Sequence, residues 1–294
     1  MKIIPNNPNS DFVCFVEGVD ISKGISLSDS NKIDKLINKY AVVVFRDQLI
    51  TDEQQIEFTE LFGKIEKPGN NSSVQKGKDR RLSSKMADVS NITKSSTVND
   101  RNDPTRIFNL GNRLWHSDSS YKKIPAKYSL LSARTVAKKG GNTEFADMRA
   151  AYDKLDKNLK STIKDMVCEH SLIYSRQRLG FDMKTELSDR EYKNFTPVLQ
   201  PLVRIMPMNK RKLIYLSSHI GNIRGWLRED SMCFINDLME HATAKKFVYI
   251  HKWKINDLVI WDNRQVMHRV RHFDDTKEYR DMRRTTILGE EKLI

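Results

Sequence analysis

Phe247-Val248-Tyr249-Ile250-His251-Lys252-Trp253 and, shortly after it, Leu258-Val259-Ile260-Trp261 are runs of β-branched and aromatic residues, too short for helices and of the kind that strands favour. Outward from them, Leu213 to Ser218 and Thr285 to Leu288 read the same way, with Asp230 to Ala242 a helix between Leu213–Ser218 and Phe247–Trp253. Further upstream, Ala126 to Ala137 reads as a strand and Gly140-Gly141 as a turn. Asp147 to Met166 reads as an amphipathic helix through Met148, Ala151, Tyr152, Leu155, Leu159 and Ile163, whereas Leu172 to Met183 is ambiguous. Near the start, Ile33, Leu36, Ile37 and Tyr40 recur at helical spacing and lead into the buried strand Ala41 to Phe45. Thr51-Asp52-Glu53-Gln54 is a capping box, followed by the apolar face Phe58, Leu61, Phe62 and a stop at Gly63. Many short strands, a few helices, no internal repeat and no β-α-β alternation predict a mainly β protein with flanking helices (α+β), a jelly-roll or barrel rather than a doubly wound sheet.

The length of 294 residues is enough for a sizeable core, and we read 1–294 as one domain. Periodicity disappears between about Lys67 and Asn112, where Asn, Ser, Lys and Asp dominate. A loop this long in a compact domain is read as a mobile active-site lid or insertion. No apolar stretch approaches the roughly 20 residues of a membrane helix, and Met1 to Pro5 does not open a signal peptide. Cys14, Cys168 and Cys233 are too few and too scattered for a disulfide framework or a zinc site. A cytoplasmic protein is expected.

The net charge of +13 raises the question of a polyanionic partner. The basic clusters, from Lys76 to Arg81 through Lys245-Lys246, are spread along the chain without interleaved aromatics. Nucleic acid is therefore not expected, while a small anionic substrate can exploit the same field.

Leu114-Trp115-His116-Ser117-Asp118 puts a histidine and a carboxylate two apart, on one face of an extended chain. With a second histidine they would occupy one face of an octahedral metal and leave three positions open, the arrangement of oxygen-activating iron(II) enzymes. Alone the pattern is weak, because His272-Phe273-Asp274 repeats it and a surface pair is the ordinary explanation. In Arg280-Asp281-Met282-Arg283-Arg284-Thr285-Thr286, an extended backbone places Arg280, Met282 and Arg284 on one face and Arg283 on the other. Two guanidinium groups facing one cavity call for carboxylate partners; a solvated basic edge strand is the alternative.

A third ligand is required, and far downstream the chain reads Asp257-Leu258-Val259-Ile260-Trp261-Asp262-Asn263-Arg264-Gln265-Val266-Met267-His268. Together with Trp115 to Tyr121 and Gly140 to Tyr152, this stretch resembles the taurine dioxygenase / 2,4-D dioxygenase family. Tyr215 to Trp226 and Glu240-His241-Ala242-Thr243 bring the likeness closer to the 2,4-D (aryloxyacetate) branch. The resemblance covers most of the chain outside the presumed lid. It implies a double-stranded β-helix, a cupin-like jelly-roll core.

The resemblance further implies that His116, Asp118 and His268 hold Fe(II), with His272 left as a neighbour. Arg280, helped by Thr143, would take the distal carboxylate of the co-substrate 2-oxoglutarate. Arg284 would line the site and meet either acid, and Asn112 would contact the substrate. His219 would either reach the substrate or be a hydrogen-bonded structural residue. His170, His241 and His251 read as structural, and Trp115, Trp253 and Trp261 as core aromatics. The implied reaction uses O2, turns 2-oxoglutarate into succinate and CO2, and hydroxylates a small anionic substrate, aryloxyacetate-like or another carboxylate. Where the hydroxylated carbon bears an ether oxygen, the C–O bond then breaks. Competing readings are a taurine-like sulfonate dioxygenase, a desaturating or cyclising oxygenase, and a non-catalytic cupin-like binding protein; likeness also suggests a homodimer or tetramer.

Overall fold

The structure, a computed structural model, describes residues 1–67, 80–183 and 188–293. The described strands are β1 (Lys2–Pro5), β2 (Val13–Glu17), β3 (Val42–Phe45), β4 (Ala87–Asp88), β5 (Ala126–Thr135), β6 (Thr143–Asp147), β7 (Val167–His170), β8 (Val198–Pro201), β9 (Val203–Ile205), β10 (Lys212–Ile214), β11 (Ile220–Ile223), β12 (Val248–His251), β13 (Leu258–Asp262), β14 (Val266–Val270) and β15 (Asp281–Leu288). One sheet has the order β1-β2-β3-β13-β5-β15-β4; β12-β6-β14 and β11-β7-β8 form smaller sheets, and β9 pairs with β10. Strands distant in sequence lie side by side, as in the jelly-roll core expected above.

Period-two alternation explains the layers. In β13, Leu258 and Ile260 join Val43, Phe45, Tyr128 and Leu130 in one cluster with residues of the helices Leu27–Tyr40 and Asp52–Glu60. Val259 and Trp261 turn to the opposite face and share a cluster with Val42, Val44, Leu131, Met282 and, from the small sheet, Phe145 and Val266. The large sheet is thus apolar on both faces, one covered by helices and one by a second sheet. Phe145 is fully buried at that inter-sheet seam, and truncating it to Ala would cost about 3–5 kcal/mol.

Three local expectations need correction. The helix read over Asp147 to Met166 is two helices, Met148–Asp153 and Lys157–Ile163, each with its own aspartate cap: Asp147 accepts from the N–H groups of Arg149 and Ala150, and Asp156 from that of Leu159. The apolar spacing runs through both, so periodicity alone passes over the break, while Asp156 marks a restart. One β-α-β unit does exist, because β2 and β3 pair in parallel across the helix Leu27–Tyr40. In the presumed lid, 68–79 lie outside the described residues, but the remainder is built into the fold. There β4 pairs with β15, Pro104–Asn109 is a helix capped by Asp103, and Arg81 is paired with both Asp88 and Asp281.

Smaller differences concern element ends. The helix after Thr51 keeps its capping box but stops at Glu60, leaving Leu61 exposed while Phe58 and Phe62 are buried. The ambiguous stretch after Ser171 opens as a helix over Leu172–Gln177, with the Ser171 hydroxyl accepting from the Ile173 N–H.

Candidate active site

A 3-10 turn over Leu110–Arg113 ends at Leu114, whose extended backbone sends the chain alongside β14. There the N–H of His116 donates to the carbonyl of His268 at 3.0 Å, and the N–H of His268 donates to that of His116 at 2.8 Å. Just beyond, the Ser117 hydroxyl donates to the Asn263 carbonyl at 2.6 Å and the Asp118 N–H to the Asn263 side-chain oxygen at 3.2 Å. The chain then turns away at Ser119, whose φ of 56° is left-handed. As a result His116 Nε2 lies 3.7 Å from Asp118 Oδ1, and His268 Nε2 3.7 Å from Asp118 Oδ2. One donor atom from each of the three buried residues falls within 4.8 Å of the others.

The surroundings prepare these groups for a cation. His116 Nδ1 lies 2.7 Å from the Leu114 carbonyl, which assigns the proton to Nδ1 and leaves the Nε2 lone pair facing Asp118. Burial lowers the pKa of both imidazoles, strongly so for His268, and keeps them neutral, as metal ligation requires. Burial acts to raise that of Asp118, but the Arg284 guanidinium, helped by the Ser129 hydroxyl, outweighs it and holds the carboxyl well below the usual range. Asp118 Oδ1 accepts from Arg284 Nη1 at 2.7 Å and Oδ2 from the Ser129 hydroxyl at 2.7 Å. Ser129 in turn accepts from Asn263 Nδ2 at 2.9 Å, and Asn263 Oδ1 from Trp261 Nε1 at 2.9 Å. Two neutral imidazoles and an oriented, ionised carboxylate fit a divalent iron with open positions.

Beside this set lies a cavity of about 190 Å³, whose walls include Asn112, His116, Asp118, Arg176, His219 and Arg284. Arg280 lines an adjoining cavity of about 40 Å³. The two share Val89, Asn109 and Asn112 as walls. The expectation that both guanidinium groups face one cavity is thereby corrected: alternation holds, with Asp281 and Arg283 bonded on the opposite face, but four extended residues set Arg280 roughly 13 Å along the strand from Arg284. Arg283 does point the other way, to Asp52 at 2.6 Å. The Arg280 guanidinium is buried over Phe273, 5.8 Å from the ring centroid, and among the described residues donates only to the Val89 carbonyl at 3.3 Å. Burial pulls its pKa down to about 10, and among the described residues no carboxylate pairs with it. Thr143 lines neither cavity; its hydroxyl oxygen accepts from Trp253 Nε1 at 3.0 Å, which leaves its proton free to donate.

The remaining candidates separate cleanly. His219 stands edge-on to Tyr121 with ring centroids 4.8 Å apart and lies 6.2 Å from the His116 ring. His272 is exposed, so the second His-x-Asp match is a surface pair. His170 bonds to Ser120, His241 to the Ala151 carbonyl and His251 to Asp257, and all three serve the framework. Sequence reasoning missed Ser129, whose place on the inner face of β5 is readable only once the strand is registered. It also missed Arg176, which carries no local motif.

Residues 9–286 match the family model described as taurine catabolism dioxygenase TauD, TfdA family. Among curated proteins, the chain is 36% identical to the alpha-ketoglutarate-dependent 2,4-dichlorophenoxyacetate dioxygenase of Cupriavidus pinatubonensis, over 99% of each chain. It is likewise 36% identical to the (S)-phenoxypropionate/alpha-ketoglutarate-dioxygenase of Sphingobium herbicidovorans, over 86% of this chain and 83% of that one. The crystal structure of AAD-2 in complex with Mn(II) and N-oxalylglycine superposes with a TM-score of 0.91 and 49% identity, covering 100% of this chain and 99% of the other.

Proposed function

The chain belongs to the taurine catabolism dioxygenase TauD, TfdA family and is an Fe(II)- and 2-oxoglutarate-dependent dioxygenase; from this we propose that it hydroxylates a small aryloxyalkanoate or related organic acid, with iron held by His116, Asp118 and His268. The observation that carries the reading is the buried convergence of two imidazole Nε2 atoms on the Asp118 carboxylate, each 3.7 Å from one of its oxygens, in the wall of a cavity large enough for a small acid. When bound, iron with 2-oxoglutarate and O2 supplies the oxidation, and the co-substrate leaves as succinate and CO2.

The protein's own groups bind, orient and exclude water. Arg284 and Ser129 fix Asp118 in its ionised form and in one orientation. Arg280, with Thr143 as a second donor, receives the distal carboxylate of 2-oxoglutarate; a desolvated guanidinium without an acid of its own is suited to that bidentate grip. Asn112 and His219, in the same cavity wall, contact the substrate. Hydroxylation of the carbon next to an ether oxygen gives a product that collapses with C–O cleavage, so an aryloxyacetate would leave as a phenol. No described helix is long and apolar enough to cross a membrane, and three free cysteines fit our placement of the enzyme in the cytoplasm.

The test is iron-dependent succinate release across phenoxyacetates, phenoxypropionates, taurine and alkyl sulfonates. Stimulation by the aryloxy acids above the sulfonates is expected. A stronger response to taurine or alkyl sulfonates would overturn the substrate class.

A further inference from the structure

The basic groups around the main cavity are not equivalent. Arg284 is engaged with Asp118 at 2.7 Å, Lys122 is paired with Glu66, Arg80 donates to the carbonyls of Ser83 and Met86, and Arg280 sits in the adjoining cavity. Arg176, from the helix Leu172–Gln177, lines the main cavity and is only 6% exposed. Among the described residues it has no acid partner and no side-chain hydrogen bond, and its Nε is buried without an acceptor. Burying a guanidinium in this way is costly.

Its position is nonetheless tightly specified. The Arg176 Cζ lies 4.1 Å from the centroid of Phe108, so the guanidinium stacks on an aromatic wall. On another side it fills the room left by Gly111: a Cβ there would stand 1.7 Å from Nη1 and 2.5 Å from Cζ. Gly111 has no left-handed backbone to explain it, so the glycine is there for space. Tyr121 and His219 share the cavity wall, and the charge of Arg176 acts on both and on His116. A planar fork held by stacking and left without an acid presents its free edge to a ligand carboxylate.

We infer that Arg176 is the clamp for the carboxylate of the substrate, held in place by Phe108 and Gly111, which makes it a specificity-determining residue of this cavity. The inference rests on the substrate reading given above, in which Arg280 already takes the distal carboxylate of 2-oxoglutarate. It accounts for the third anion, and it leaves Arg284 to orient Asp118.

The experiment uses phenoxyacetate and its neutral counterpart phenoxyacetamide with the iron-loaded wild type, Arg176→Met, Arg176→Lys and Gly111→Ala. Gly111→Ala retains every charge but pushes the guanidinium aside, which covers the case in which Arg176→Met fails to fold. The expected result is a rise in KM for phenoxyacetate of roughly 10- to 100-fold in Arg176→Met and Gly111→Ala, as loss of a charged hydrogen-bonded pair implies. Arg176→Lys should retain part of the affinity, KM for 2-oxoglutarate should stay within about twofold of wild type while that pair alone is lost, and the preference for acid over amide should disappear. Calorimetric titration of phenoxyacetate into the metal-free variants should show the same weakening. If the wild type prefers the acid and Arg176→Met and Gly111→Ala keep that preference, the clamp is overturned while the substrate reading stands. A rise in KM for 2-oxoglutarate instead would reassign Arg176 to the co-substrate and overturn it too. A wild type that responds to neither compound defeats both the substrate reading and the clamp.

Discussion

His116 and His268 are joined main chain to main chain, each donating its N–H to the carbonyl of the other at 3.0 and 2.8 Å, in a bridge that belongs to no longer strand pairing. Two residues from distant parts of the chain are therefore registered by backbone, and their rings end up with centroids 4.2 Å apart. The backbone thus brings both imidazoles to Asp118, and the Leu114 carbonyl fixes the His116 ring.

The support behind the carboxylate should be as measurable as the ligands. His268→Ala is expected to lose iron binding and turnover together. Ser129→Ala, which removes the hydroxyl donating to Asp118 Oδ2 at 2.7 Å, should weaken iron affinity by roughly 10- to 100-fold, in line with other supporting partners of metal ligands. Titration of the metal-free protein with Fe(II) under anaerobic conditions reads both, and unchanged affinity in Ser129→Ala would show that Arg284 alone orients Asp118.

Arg280 should act on the co-substrate alone. Arg280→Ala deletes a buried charge whose side-chain hydrogen bonding among the described residues is to the Val89 carbonyl alone, so the fold loses little. KM for 2-oxoglutarate is expected to rise by about two orders of magnitude, corresponding to about 2–3 kcal/mol for a charged bidentate contact, with iron affinity unchanged. Steady-state kinetics over 2-oxoglutarate concentration is the measurement, and an unmoved KM would send the distal carboxylate elsewhere.

Stability should fall with acid through His170. Burial lowers its pKa from 6.5 to about 3, so the folded state holds it neutral where the unfolded chain takes up a proton. The sign follows: its contribution is complete above about pH 6.5 and is lost as pH falls toward 3, by about 1.4 kcal/mol per pH unit. In His170→Asn, chemical denaturation between pH 6 and 4 should show a shallower decline than in wild type; an identical slope would mean that His170 is charged in the fold.

Cysteine reactivity offers a check on packing. Cys14 and Cys168 are buried, which pushes each thiol up to about 12, whereas Cys233 is exposed. A thiol reagent at neutral pH should label one cysteine in the native protein and all three after unfolding. Rapid native labelling of Cys168 would show that the packing around β7 opens.

Much of this protein is legible in one dimension because it follows from local rules. Leu258 to Trp261 alternates across a pleat whatever surrounds it, and the strand appears where the pattern puts it. Thr51 and Gln54 cap a helix through bonds between near neighbours, and the box is present. Asp147 to Met166 misled because apolar spacing does not register a break between two helices, and polar composition between Lys67 and Asn112 hid the short strand Ala87–Asp88 and the helix Pro104–Asn109.

By itself, the sequence determined which donor types exist and at what spacing: His-x-Asp, a distant histidine, and arginines near the end of the chain. The resemblance carried by the flanking residues had already chosen His116 and Asp118 over the pair at His272; only the tertiary structure decided that Arg284 serves Asp118 while Arg280 occupies an adjoining cavity, and that Arg176 has no acid partner among the described residues. The physical reason is that backbone conformation answers to neighbours a few residues away, whereas the loss of solvent around a charge, and the partner it then finds, depend on surfaces contributed by remote segments.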